Sequence, residues 1–292
     1  MPNRYSQCRF SSKKIPLFLC VLTLAIPALQ AQEMPAWVAE SNEYSKILLE
    51  VMAGYDPADA SRKGVAGYDE AIRDLSPGYR DRFLTALETA QAKLNALLEK
   101  QEDGPVRQDL EILIGEASDK MEEIQLEEKY FLPYYDVSSL VYTGLRALLE
   151  DRVPDARRQL AAIRLDKYAG LAKGYTPLAT HARDEIRLAL KDTTRLAPYK
   201  EQVERNLNAS AEYLDEIGNL LGKYHIRGYK NGYAALKEQV EAYNAFIRAE
   251  VLPFAREDFK LPPEVYAFRL KGYGGDMPVD ELVRRAKVSF KE

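Results

Sequence analysis

The sequence predicts an all-α fold, a multi-helix array of antiparallel helical hairpins with a long irregular loop near residues 54–76. Three observations lead there. Apolar residues recur at three- and four-residue spacing over most of the chain, so each segment presents one apolar face. Prolines and glycines fall between those segments, where a helix starts or stops. No period-2 run of β-branched residues is long enough for a sheet.

Taken in order, Arg4, Arg9, Lys13 and Lys14 precede the apolar run Ile15 to Leu29, and Ala31 offers a small residue before Gln32. That layout predicts a secretory signal peptide over residues 1–31 and a secreted or periplasmic protein. The run is too short for a span, which needs roughly 20 apolar residues, so no membrane span is expected after cleavage. Cys8 and Cys20, the only cysteines, lie inside it, and the exported chain would carry neither disulfide nor cysteine-bound zinc. Losing four basic residues moves the balance from 41 basic against 45 acidic (−4) to 37 against 45 (−8). An acidic chain with interspersed arginine pairs argues against nucleic acid as a partner.

Within residues 32–292 helices are predicted at Pro35 to Met52, Pro77 to Lys100 (Ser76 as cap) and from Gly104-Pro105 through Ile124. In the last, Leu110, Leu113, Ile114, Ala117, Met121 and Ile124 share one face. It should pair antiparallel with its predecessor across Gln101 to Pro105. Further helices are expected at Ser138 to Glu150, Pro154 to Tyr168, Pro177 to Lys191 and Pro198 to Leu221, then at Gly232 to Val251, Pro262 to Lys271 and from Pro278. Val203, Leu207, Leu214, Ile217 and Leu221 form the buried stripe of the longest. The segment from Pro278 carries Leu282, Ala286 and Phe290 on one stripe, with no glycine or asparagine cap after it, the pattern expected of the front part of something longer. Between Gly54 and Ser76 turn residues run on too long for an idle connection, which marks a functional loop. The glycines of Gly272-Tyr273-Gly274-Gly275 read as a helix-capping turn.

Candidate chemistry is sparse. His181 and His225 are the only histidines and neither sits in an HExxH pattern. His181 precedes Glu185 by one turn, a pair able to meet a metal, but a catalytic zinc needs three protein ligands. His225 reads as a linker or helix-end residue. No Gly-x-Ser-x-Gly elbow, lysine-bearing phosphate loop or calcium-loop spacing occurs. Glu122-Glu123 and Glu127-Glu128, flanked by Lys120 and Lys129, read as a solvated helix face. The 19 tyrosines, among them Tyr130, Tyr134 and Tyr135 and the set Tyr224, Tyr229, Tyr233 and Tyr243, are mostly packing residues, with a minority available to line a peptide or sugar groove. No catalytic, cofactor or metal residue is assigned.

Three stretches carry a resemblance: Pro57, Ser61, Gly64, Tyr68-Asp69 and Asp74-Leu75-Ser76-Pro77; Tyr168-Ala169-Gly170-Leu171 with Gly174-Tyr175-Thr176-Pro177-Leu178 and Ala182-Arg183; and Asn244 to Phe268 with Tyr273, Asp276-Met277-Pro278 and Glu281-Leu282. In order and as a set they resemble the bacterial family called domain of unknown function 885. Its members are similar to zinc metallopeptidases, exported or lipid-anchored, with an HExxH-type helix in a C-terminal half. The resemblance implies that residues 32–292 are the helical N-terminal region of a two-part protein whose catalytic half is absent. Such a region is inactive alone, contributes part of a substrate groove, and has that half, and a peptide, as expected partners. Zinc is expected only in the missing half. The alternative is a stand-alone periplasmic helical binding or scaffold module using a helix-lined cleft and the Gly54 to Ser76 loop. An enzyme centred on a metal at His181 and Glu185 is a third possibility.

Overall fold

A computed structural model of the chain describes residues 35–273 and 277–290. The expected signal peptide and Gly274-Gly275-Asp276 lie outside the described residues. The fold is all-α; among the described residues no strand forms, and backbone pairing outside helices is limited to two isolated parallel bridges.

The N-terminal layer is a trio of long helices, α1 (Ala36–Tyr55), α3 (Tyr79–Leu98) and α4 (Gly104–Tyr130), with the short α2 (Pro57–Arg62) after α1. Asp56 caps α2 through the Asp59 amide at 3.0 Å, and Pro57 occupies the first turn, where its missing N–H costs nothing. Asp103 and Pro105 open α4 in the same way. The α3–α4 pair is the expected antiparallel hairpin. Arg107 Nη1 donates to the Leu98 carbonyl and Gln91 Nε2 reaches the Ile114 carbonyl, so the paired positions fall on one helix as they rise on the other. Leu48, Leu87, Leu94, Leu110, Ala117 and Ile124 fill the core of this layer. Ser76 does not cap α3. Gly78, in the left-handed region at φ 74°, precedes it, while Ser76 is spent in a turn, taking Asp74 Oδ1 on its amide and Arg82 on its hydroxyl.

The larger body comprises α5 (Val137–Arg146), α6 (Asp155–Arg158), α7 (Ala161–Tyr168), α8 (Leu178–Ala189), α9 (Lys200–Lys223) and α10 (Lys230–Phe246). Its core contains Leu145, Leu165, Ile186, Leu236 and Val240 together with the predicted α9 stripe Val203, Leu207, Leu214, Ile217 and Leu221. Each fully buried aliphatic side chain contributes about 1.5–3 kcal/mol. Helices α9 and α10 form a second antiparallel hairpin, tied by Tyr233 hydroxyl to the Leu214 carbonyl (2.8 Å) and Asn244 to Ser210 (2.7 Å).

The single helix expected over Pro154 to Tyr168 is two, α6 and α7, broken at Gln159-Leu160. Close backbone approach sets the packing of α7. A side chain at Gly144 would collide with the Tyr168 hydroxyl, and one at Gly170, itself at φ 69°, would meet the Pro177 ring at 2.5 Å. Gly170 and Pro177 both belong to the second resembling stretch.

Helix α10 ends earlier than its apolar pattern. Ile247–Val251 widens into a π turn and Leu252–Phe254 tightens into a 3₁₀ turn, because Pro253 offers no amide to continue the ladder. Two helices follow, α11 (Pro263–Gly272) and α12 (Val279–Ser289). Val265 is the one residue of α11 that is buried, and none of α12 is.

Candidate functional site

Three extended segments lie side by side between the helical layers. Leu132 N donates to the Leu196 carbonyl (2.9 Å) and Leu196 N to the Tyr130 carbonyl (2.8 Å); Lys200 N and Arg256 N make the corresponding pair with Arg256 and Pro198 (2.9 and 3.0 Å). Pro133 and Pro198 lack amide donors, which keeps these contacts as single bridges. Above them opens a cavity of about 780 Å³ whose walls draw on α1, α3, α4, α5 and the segments around residues 131–136, 195–202 and 256–261.

Tyrosine and arginine dominate that lining. At its centre the Tyr135 hydroxyl donates to Glu185 Oε2 (2.6 Å) and accepts from Arg80 Nη2 (2.6 Å). Its single proton being spent on the carboxylate, the 2.9 Å contact with Tyr79 must be donated by Tyr79. Arg80 also bonds Glu185 Oε1, approaches Glu128 at 3.9 Å and lies over the Tyr79 ring at 4.8 Å. The buried Tyr243 hydroxyl fixes the Tyr135 backbone by donating to its carbonyl at 2.8 Å. Burial pushes the Tyr79 and Tyr134 hydroxyls up to about 12, and burial together with the neighbouring Tyr79 drives Tyr135 higher still. Burial alone would lower the Arg80 pKa, but Tyr135, Tyr79 and Glu185 outweigh it and hold the guanidinium charged.

Other wall groups differ in how far they are committed. Arg195 pairs with Asp192 (2.8 Å), and Arg256 caps the carbonyls of Ala197, Asp258 and Lys260. Asp136 is the cap of α5, accepting from Ser138 and Ser139. Glu127 has its pKa raised, first by burial and then by Glu123. Near the mouth, Tyr199 meets the exposed Phe259 edge to face at 6.3 Å.

The residues singled out from the sequence are distributed unevenly. Glu185 belongs to the Arg80–Tyr135 network on the cavity's edge, with both carboxylate oxygens engaged, so the His181–Glu185 pair does not present a free ligand set. Among the described residues no group of three or more His, Cys, Asp or Glu is placed to hold a metal ion. His225 closes α9. At φ 51° it is the left-handed residue of a Schellman turn, with Ile226 N on the Leu221 carbonyl (3.0 Å) and His225 N on that of Gly222 (3.1 Å). Of the tyrosines singled out, Tyr134 and Tyr135 line the cavity. Tyr233 and Tyr243 are spent on backbone carbonyls and Tyr224 on Asp151.

Glu127 and Glu128 do not form a purely solvated face: they stand in the cavity wall while Glu123 pairs with Lys120. Sequence reasoning missed Tyr55, Arg73, Tyr79 and Arg80, which come from the loop region and the start of α3. The available signal was the alternation of aromatic and basic residues at Tyr79-Arg80.

The segment expected as one irregular loop over 54–76 contains the short helix α2, and it is pinned. Arg157 forks onto Asp69 (2.7 Å to each oxygen), Ser61 donates to Asp69 (2.7 Å), and the wholly buried Arg164 holds the carbonyls of Tyr68 and Gly144. So anchored, the loop delivers Tyr55, Asp56 and Arg73 to the cavity.

The described residues thus form an all-α body with a tyrosine- and arginine-lined cavity. A family model described as bacterial protein of unknown function (DUF885) matches residues 57–292, and the chain belongs to that family. No curated protein and no solved structure matches it. Among the described residues no helix is long and apolar enough to cross a membrane.

Proposed function

We propose that this chain is the non-catalytic helical portion of an exported zinc-metallopeptidase-like protein, and that its tyrosine- and arginine-lined cavity is part of the groove that holds a peptide substrate. Hydrolysis would fall to a C-terminal half carrying the zinc. The observation that carries the proposal is the cavity itself. At about 780 Å³ it suits a short peptide, and it combines aromatic faces with fixed hydrogen-bonding groups. The outward apolar residues Val283 and Val288 of α12, and Phe290 just after it, give a further body something to pack against.

The test is affinity capture of a library of N-acetylated tetrapeptides by the purified chain, wild type and Tyr135→Phe. Saturable binding that weakens in the variant supports the proposal; no retention of any peptide overturns it.

The second reading, a self-sufficient periplasmic binding module, is favoured by the two well-filled cores, which need no additional body to bury them. The two diverge at α12. A groove completed by another half predicts binding of a hydrophobic dye that Val283→Glu with Val288→Glu abolishes, whereas a self-sufficient module predicts no dye binding.

A further inference from the structure

We infer that the cavity recognises its ligand through a carboxylate, and that Arg73 is the receptor for it. This rests on the groove proposed above and names the ligand chemistry it selects. Arg73 stands in the lining, half-buried, on the pinned loop. A guanidinium carries five N–H donors. Among the described residues the only acceptor for any of them is the Tyr55 hydroxyl, and Nε is buried without a partner.

The other cavity arginines are spent differently. Arg80 faces Glu185 and Glu128, Arg195 faces Asp192, and Arg256 is filled by backbone carbonyls. Arg269 forms no ion pair among the described residues but is exposed, where water compensates its charge. Arg256, also half-buried and without an ion pair among the described residues, has its donors on three carbonyls, whereas half-buried Arg73 has no ion pair there and an unpartnered Nε, an arrangement that an incoming anion relieves.

Nearby groups do not supply that anion. Glu127 senses Arg73, yet among the described residues no ion pair forms between them. Asp56 is occupied as the cap of α2.

The receptor is also held rigid. Tyr55 stacks on Phe83 with ring centroids 3.9 Å apart and planes 4° from parallel, and the Arg73 guanidinium carbon lies 4.5 Å from the Tyr55 centroid. A cation on an aromatic face keeps its planar fork in a fixed attitude, which suits the planar carboxylate.

The experiment compares the tetrapeptide library as free acids with the same library as C-terminal amides, against wild type, Arg73→Gln and Arg73→Lys, with thermal melts confirming folding. Free acids should bind roughly ten- to a hundredfold more tightly than amides, the range expected of a charge-assisted hydrogen bond. Arg73→Gln should erase the difference, and Arg73→Lys, which keeps the charge without the fork, should retain only part of it. Equal binding of acids and amides by wild type overturns the carboxylate receptor and leaves the groove standing. An acid preference that survives in Arg73→Gln overturns the role of Arg73. Failure of both libraries overturns the groove. Should both variants fail to fold, the acid-to-amide ratio in wild type decides.

Discussion

Helices α9 and α12 are written in the same amphipathic language and meet different fates. The α9 stripe from Val203 to Leu221 is buried throughout, whereas α12 leaves Val283 44% exposed and Val288 48% exposed. Apolar periodicity therefore specifies that a face should be covered, not what covers it. Where a neighbouring helix lies opposite, as α5 and α10 do for α9, the stripe becomes core; α12 has no such neighbour among the described residues.

Truncation should expose that contrast most strongly. Ile217, fully buried, should lose about 2–5 kcal/mol as Ile217→Ala, against less than about 0.5 kcal/mol for Val283→Ala, measured by urea unfolding. Equal costs would show that α12 is covered after all.

Next come the arginines of the same two kinds of setting. Arg164→Met removes the buried donor to the Gly144 carbonyl and leaves the Tyr68 carbonyl only the Ala71 amide, and should cost about 2–4 kcal/mol; Arg73→Met, which loses one bond, should cost about 1 kcal/mol or less. A larger loss at Arg73 would make it a structural residue.

The loop anchor should appear in acid. Hydrogen bonding from Arg157 holds the Asp69 pKa down against burial, with Ser61 assisting. Its folded pKa lies below its unfolded one, so its stabilisation is complete above about pH 4 and lost as pH falls through the folded value. Asp69→Asn should be about 1–3 kcal/mol less stable at pH 7 and show a shallower acid slope.

The smallest effect belongs to the cavity tyrosines at high pH. Tyr79 is raised to about 12 by burial, so it contributes stability that is fully present below about pH 10 and disappears as pH rises through about 12. Tyr79→Phe should flatten the fall in melting temperature between those values. Absorbance titration should find a late-ionising tyrosine at about 12 that Tyr79→Phe removes.

Much of the fold was legible because helical spacing is local. The stripes on α4 and α9 and the α3–α4 hairpin follow from residues within a turn or two of one another. Ser76 misled because its turn chemistry, with Asp74 and Arg82, resembles a cap until Gly78 is seen to take the left-handed position. The break between α6 and α7 has no proline or glycine to announce it.

The site was far less legible. Arg80 and Glu185 are 105 residues apart and Arg73 and Tyr55 are 18, and nothing in their local patterns links them. Glu127 and Glu128 carry the composition of a solvated face, yet the extended segments laid beside α4 make them part of a cavity wall.

By itself the sequence determined which segments are helices and which face of each is apolar, since backbone sterics and side-chain spacing act within a few residues. Only the tertiary structure decided which charges are spent and which are left over. That depends on which groups from distant segments arrive within hydrogen-bonding distance, and on how much water the packing around them leaves.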